Sequence, residues 1–196
     1  MMTTLYPFNP NLGQKIQGEA GATPIDQSFL AHYSAAPVAV DTDGVHAAIT
    51  LDDENEQVIT TGITQPDVPR ALTITGNQAD EVGNVVIAGT DAAGAAITDT
   101  LALSGISTVE GTKAFKTVTR ITVPVRTSAG DTVIVGWGKK LGLPHKVYNA
   151  ACLLIKLFNG AADSGTLAAS ATLSQNLFSL NGAPDGSKVV DLFYIV

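Results

Sequence analysis

From Val38 onward the apolar residues of this chain recur with a period of two, in short runs separated by glycine, asparagine and aspartate. Val, Ile and Thr dominate 71–75, 85–89, 97–103, 115–123 and 132–135. β-Branched side chains suit a pleated, half-buried surface, so each run predicts a strand. Between the runs lie Gly76-Asn77, Asp91-Ala92-Ala93-Gly94, Ser104-Gly105 and Ser128-Ala129-Gly130-Asp131. These residues accept the backbone of tight turns at little cost. Runs 38–40 and 45–51 flank Asp43-Gly44, which predicts a hairpin. A further strand is expected over 58–63, with Asp52-Asp53-Glu54-Asn55-Glu56 before it as a solvated loop. Beyond Pro144, strands are expected within 147–158, 172–180 and 188–196. Cys152-Leu153-Leu154-Ile155 is apolar on both phases, as in a strand buried on both faces or a short buried helix. The last run is also apolar on both phases, with Asp191 interrupting, so it is expected to be paired and covered. The pattern predicts an all-β fold, a β-sandwich or jelly-roll-like barrel.

Residues 1–37 read differently, as an extended N-terminal arm ahead of a β domain spanning 38–196. Prolines at 7, 10, 24 and 37, with Gly13, Gly18 and Gly21, interrupt any long element. One short helix is expected, with Thr23 as N-cap, Pro24 at the first helical position, and Ile25, Phe29 and His32/Tyr33 on one face. Tyr6, Phe8, Ile16 and Phe29 give the arm apolar anchors with which to dock.

Composition narrows the class. Only 15% of residues are charged, against about 25% in a typical domain. Mean hydropathy is nevertheless +0.22. Ala, Thr, Ser and Gly replace the missing charge, which suits surfaces that become covered and favours an assembly subunit. Charge is also segregated: residues 1–110 carry Lys15 and Arg70 against fourteen carboxylates, and 111–160 carry eight basic residues against Asp131. Such asymmetry suits contact between unlike faces of neighbouring copies, unless folding interleaves the segments. Lys113, Lys116, Arg120 and Arg126 lack an aromatic stacking platform, so no nucleic-acid partner is expected. No run approaches the ~18 apolar residues of a membrane span, and the start lacks a secretory pattern. Synthesis and first folding in the cytoplasm, away from membranes, are therefore expected.

No constellation for catalysis emerges. His32, His46 and His145 have no ligand spacing, and Cys152, the only cysteine, lies in an apolar run that predicts a buried, inert thiol. Asp41-Thr42-Asp43-Gly44 resembles part of a calcium loop but has Ala39 and Thr50 where acidic ligands belong. Gly136-Trp137-Gly138 opens like a dinucleotide fingerprint, yet Gly142 comes one residue late and Pro144 breaks the helix that should follow. Neither metal, cofactor nor enzymatic activity is expected.

Several stretches, in their order along the chain, carry a resemblance. They are Gln65-Pro66-Asp67-Val68-Pro69-Arg70 leading into Leu72-Thr73-Ile74-Thr75-Gly76, Gly89-Thr90-Asp91 with Gly94, and Gly111-Thr112-Lys113-Ala114-Phe115-Lys116-Thr117-Val118. Gly138-Lys139-Lys140-Leu141-Gly142-Leu143-Pro144 and Val190-Asp191-Leu192-Phe193-Tyr194-Ile195-Val196 complete the set. Across about 65–196 the chain resembles virion structural proteins of tailed bacteriophages, in particular capsid decoration (cement) proteins; residues 1–60 carry no such likeness. The resemblance implies a β-rich subunit, often a homotrimer, that sits on the capsid surface across joints between major capsid proteins. It brings no catalytic residues. Other virion parts (neck, tail or fibre) and a carbohydrate-binding β-sandwich are the competing readings. Interface residues are expected among Tyr6, Phe8, Phe29, Trp137, Lys139 and Lys140.

Overall fold

The computed structural model describes residues 28–196 together with two paired strands, β1 (Lys15–Gly18) and β2 (Gly21–Pro24). In chain order there follow β3 (Leu30–Ala35), β4 (Asp41–Thr50), β5 (Gln57–Ile59), β6 (Arg70–Gly76), β7 (Asn84–Thr90), β8 (Ala96–Ala102) and β9 (Val109–Phe115). Then come β10 (Thr117–Val123), β11 (Thr132–Gly142), β12 (Leu153–Phe158), β13 (Ala161–Ala162), β14 (Thr166–Ala168), β15 (Leu177–Ser179) and β16 (Val190–Ile195). The fold is all-β, as the periodicity predicts. Among the described residues, helical backbone is confined to 3-10 turns at Ala150–Cys152 and Leu173–Gln175.

The inward halves of the alternating strands bury two cores. In the first, the sheet β5-β10-β7-β8 packs across β4, β11, β6 and β9. Its centre holds Leu72, Ile74, Val85, Ile87, Phe115, Ile121, Val133 and Val135. In the second, the sheet β13-β12-β16-β3 packs over the far half of β11 with β14 and β15. Tyr33, Leu141, Leu143, Phe178, Leu192 and Tyr194 fill it. Every internal pairing of named strands is antiparallel, in keeping with sheets that bury one face and leave the other open. Strand β11 serves both cores, delivering Val133, Val135 and Trp137 to the first and Leu141 to the second.

A buried cation marks the joint. The fully buried Arg70 side chain donates from Nε to the Gly138 carbonyl (2.9 Å) and from Nη1 to the Val38 carbonyl (3.2 Å) and Asp67 Oδ1 (2.9 Å). Its guanidinium also lies 5.9 Å from the centre of the Trp137 ring. The Trp137 Nε1–H donates to the Ala39 carbonyl (3.1 Å), so the segment between β3 and β4 is tied once to β11 and once, through Arg70, to β6.

Several expectations need correction. Asp43-Gly44 makes no hairpin; it lies within β4, where the pairing with β11 bulges between His46 and Asp41. Gly44 lies beneath the Trp137 indole, where a Cβ would come within 2.7 Å of the ring, so the glycine serves close packing and not a turn. The expected helix after Thr23 is also absent where the structure can be described: Gly21–Pro24 and Leu30–Ala35 are strands, and 25–27 lie outside the described residues. Strand alternation places His32 outward and Tyr33 inward. Strand β3, within the stretch read as arm, pairs with β16. The run 147–158 is a 3-10 turn followed by β12, and Leu154 and Ile155 are exposed where burial on both faces was expected. Cys152 is half-buried against the second core. The acidic and basic segments are interleaved: β11 lies between β4 and β6, and Lys140–Glu110 (3.1 Å) and Arg126–Asp53 (2.8 Å) join them as ion pairs.

Candidate interaction surface

The buried acids are where catalytic chemistry would be sought first. Asp91 Oδ1 accepts the backbone N–H of Ala93 and Ala95 (2.9 and 3.0 Å). Asp99 accepts from Thr100, Thr112 and Lys113, joining β8 to β9. Asp131 Oδ2 accepts from Thr127 and Ser128, both at 2.7 Å, and Oδ1 from Gln78 Nε2. Asp163 accepts from Gly165, Asn181 and Gly182. Each carboxylate is engaged by donors of its own fold and acts as a fastener between loops or strands. Among the described residues no three His, Cys, Asp or Glu side chains converge as metal ligands. The cleft beside Lys140, about 380 Å³, is lined by Thr112, Ser170, Gln175 and Ser179, hydroxyls and amides with no acid or histidine among them.

The outer face of the sheet β13-β12-β16-β3 is different in kind. Alternation along β16 buries Val190, Leu192 and Tyr194 and turns Asp191, Phe193 and Ile195 outward. Antiparallel register sets Ile155 and His32 on either side of Phe193, Leu157 and Ser34 on either side of Asp191, and Leu30 opposite Ile195. A register shift between Leu153 and Ile155 inserts Leu154 as an extra residue, and both Leu154 and Ile155 are exposed. Leu30, Leu154, Ile155 and Ile195 are 62, 54, 48 and 38% exposed and gather on this one sheet. A hydrogen-bonded pair of polar side chains lies on the face, His32 with Asp191. His32 Nε2 meets Asp191 Oδ1 at 2.8 Å, and this bond holds the Asp191 carboxyl below the usual carboxylate range. The imidazole lies flat on Phe193, ring centres 4.3 Å apart at an interplanar angle of 8°.

Of the residues expected at an interface, Tyr6 and Phe8 lie outside the described residues. Phe29 is half exposed at the end of this sheet, exchanging backbone hydrogen bonds with Val196 and meeting the His145 ring at a right angle. Trp137 is buried in the first core, so it is corrected from an interface residue to a core residue. Lys139 is exposed and Lys140 is half-buried in its ion pair with Glu110; neither borders the apolar face by strand pairing. Leu30, His32, Leu154, Ile155, Phe193 and Ile195 were missed, although the two-phase apolar run at the end of the sequence was their signal. Both faces of that strand call for cover, and the described residues supply it on one. No family model, curated protein or solved structure matches this chain.

Proposed function

We propose that this protein is a non-enzymatic structural subunit of a bacteriophage virion, of the capsid decoration type, that binds across joints between major capsid proteins. One observation carries the reading: the buried aspartates are engaged within the fold, while among the described residues the outer face of the β3-β16-β12 sheet leaves Leu30, Leu154, Ile155 and Ile195 exposed. That is the economy of a part that works by contact. The sequence likeness across about 65–196 supplies the kind of assembly, and the low charge content agrees with surfaces that become covered. Self-association, as a homotrimer on that likeness, accompanies attachment. Quantitative mass spectrometry of purified particles of the phage encoding this chain tests the reading. Copies on the order of hundreds per particle are expected, since decoration repeats with the symmetry of the shell. About six or twelve copies would move the chain to the neck or tail, and absence from the particle would overturn the reading.

A further inference from the structure

We infer that the turn Asn159-Gly160 is a site of spontaneous covalent modification, where water converts Asn159 to aspartate and isoaspartate. The other Asn-Gly pair of the chain, Asn181-Gly182, is protected from the same reaction by the fold.

The reaction needs no second protein and is independent of the role proposed above. The backbone nitrogen after the asparagine gives up its proton to base and attacks the side-chain Cγ. A C–N bond forms, the bond to the amide nitrogen breaks, and ammonia leaves with a proton from solvent. Water then opens the cyclic imide at either carbonyl, giving aspartate or isoaspartate. The balance is one water in and one ammonia out, with nothing oxidised or reduced. Glycine is the favourable neighbour because it puts no Cβ in the path of attack.

The two pairs are alike in sequence and opposite in setting. Among the described residues the Gly160 N–H donates to no backbone acceptor. Asn159 and Gly160 are both exposed, and a Cβ on Gly160 would meet nothing within 4 Å, so water and base reach the turn. Attack requires the Asn159 carboxamide to swing onto the Gly160 nitrogen, so the turn must open. Opening costs little here. Asn159 has φ of 52°, a left-handed conformation that a non-glycine residue holds at a cost. Beyond it, β13 is two exposed alanines at the edge of its sheet, paired among the named strands with β12 alone.

At the second pair the reacting nitrogen is occupied. Asp163 accepts from the Asn181 N–H at Oδ1 (3.2 Å) and from the Gly182 N–H at Oδ2 (3.1 Å). Asp163 is itself buried, and Gly182 lies so close to the Phe158 ring that a Cβ would collide with it. Reaction there means breaking a bond to a charged group and lifting the loop off Phe158. At the first pair the product differs from the parent in charge and in length. A neutral side chain becomes a carboxylate, and in isoaspartate the main chain runs through the β-carbon, too long for the two-residue turn between β12 and β13.

The test is peptide mapping by mass spectrometry of the full-length protein, kept folded at mildly alkaline pH and sampled over days to weeks. The same chain unfolded in guanidinium chloride is sampled beside it. Unfolded, the two pairs should react at similar rates, because only the fold distinguishes them. Folded, Asn159 should convert at least about tenfold faster than Asn181, the factor carried by one hydrogen bond to a charged group. Both aspartate and isoaspartate should appear at the first pair. A folded protein with no conversion at Asn159 over the whole period overturns the inference. So does a ratio of the two rates that is the same folded and unfolded, since the fold would then protect neither pair over the other.

Discussion

Two residues show how closely single side chains are fitted. A methyl at Gly44 would lie 2.7–2.9 Å from three atoms of the Trp137 ring, and that ring is held by its bond to the Ala39 carbonyl. Gly44→Ala should therefore cost about 1–3 kcal/mol, as overpacking does. In a domain of this size that is a fall of roughly 2–4 °C in midpoint per kcal/mol, readable from the fluorescence of the single tryptophan. Glu81 is a different case. It is fully buried, Oε2 accepts from the Asn77 N–H (2.9 Å), and Oε1 has no partner. Burial pushes its carboxyl above the usual range, with Asp131 and Asp80 acting in the same direction against the backbone donors. A raised folded-state value means the protonated form favours the fold: its contribution is complete below the unfolded value and is lost as pH rises through the folded one. Glu81→Gln should remove that loss. Melting curves of both proteins from about pH 4 to 8 should converge in acid and separate towards neutrality, with the variant the more stable. A variant that is less stable at neutral pH would show that the ionised carboxylate is the better fit.

Among the elements, β6 and β11 carry the joint between the cores, and Arg70 is its centre. Removing the guanidinium leaves the buried Gly138 carbonyl without this donor, while the Val38 carbonyl and Asp67 lie in exposed residues that water can reach. Arg70→Met should cost about 1–3 kcal/mol, the range for leaving a buried acceptor unsatisfied. Arg70→Lys should recover only part, because a single ammonium cannot reproduce the fork that reaches three acceptors. Urea unfolding of the two variants beside wild type measures both. The sequence disclosed these elements unevenly, and for physical reasons. Turns at Gly94, Gly105 and Gly130 were legible because each glycine has positive φ, the conformation that turn chemistry signals. The Asn159-Gly160 turn between β12 and β13, with φ of 52° and 78°, carries a strong hairpin signal that the short, weakly apolar Ala161–Ala162 strand after it does little to reinforce. Strand β9 was hidden because Glu110, Gly111 and Lys113 have little strand preference; Asp99 holds the Thr112 and Lys113 backbone in place. Strand β11 looked too short because Gly136 and Gly138 read as breaks. They are sites of close approach, where a Cβ would strike the Asp41 carbonyl and the Glu110 carboxylate.

For the whole molecule, the second core depends on strands from opposite ends of the sequence. Removing 192–196 takes away Leu192 and Tyr194, both fully buried, and most of the strand between β3 and β12. Burial of those two side chains contributes about 3–6 kcal/mol, much of the ~5–15 kcal/mol margin of a typical domain. The truncated chain should lose the second core, seen as a lowered or divided thermal transition; an unchanged midpoint would mean this strand is peripheral. The inward pair is Leu192 and Tyr194, and the outward one is Phe193 and Ile195. The fold class was legible in the alternation, but the candidate surface was not. A two-phase apolar strand looks the same in sequence whether its second face is met by its own chain or by something else.

The position of β16 also sets a clock on synthesis. Strand β3 pairs with β16 and with no other named strand, Ala35 facing Val190, so the two partners leave the ribosome roughly 155 residues apart. At about 5–20 residues per second, that is a wait on the order of 10–30 s. During it the first core can close on strands made in quick succession, while β3 and β12 remain without the strand that joins them. A nascent chain halted near residue 185 should therefore resist protease around the first core and be cut at β3. One half of the protein can be complete well before the other can close.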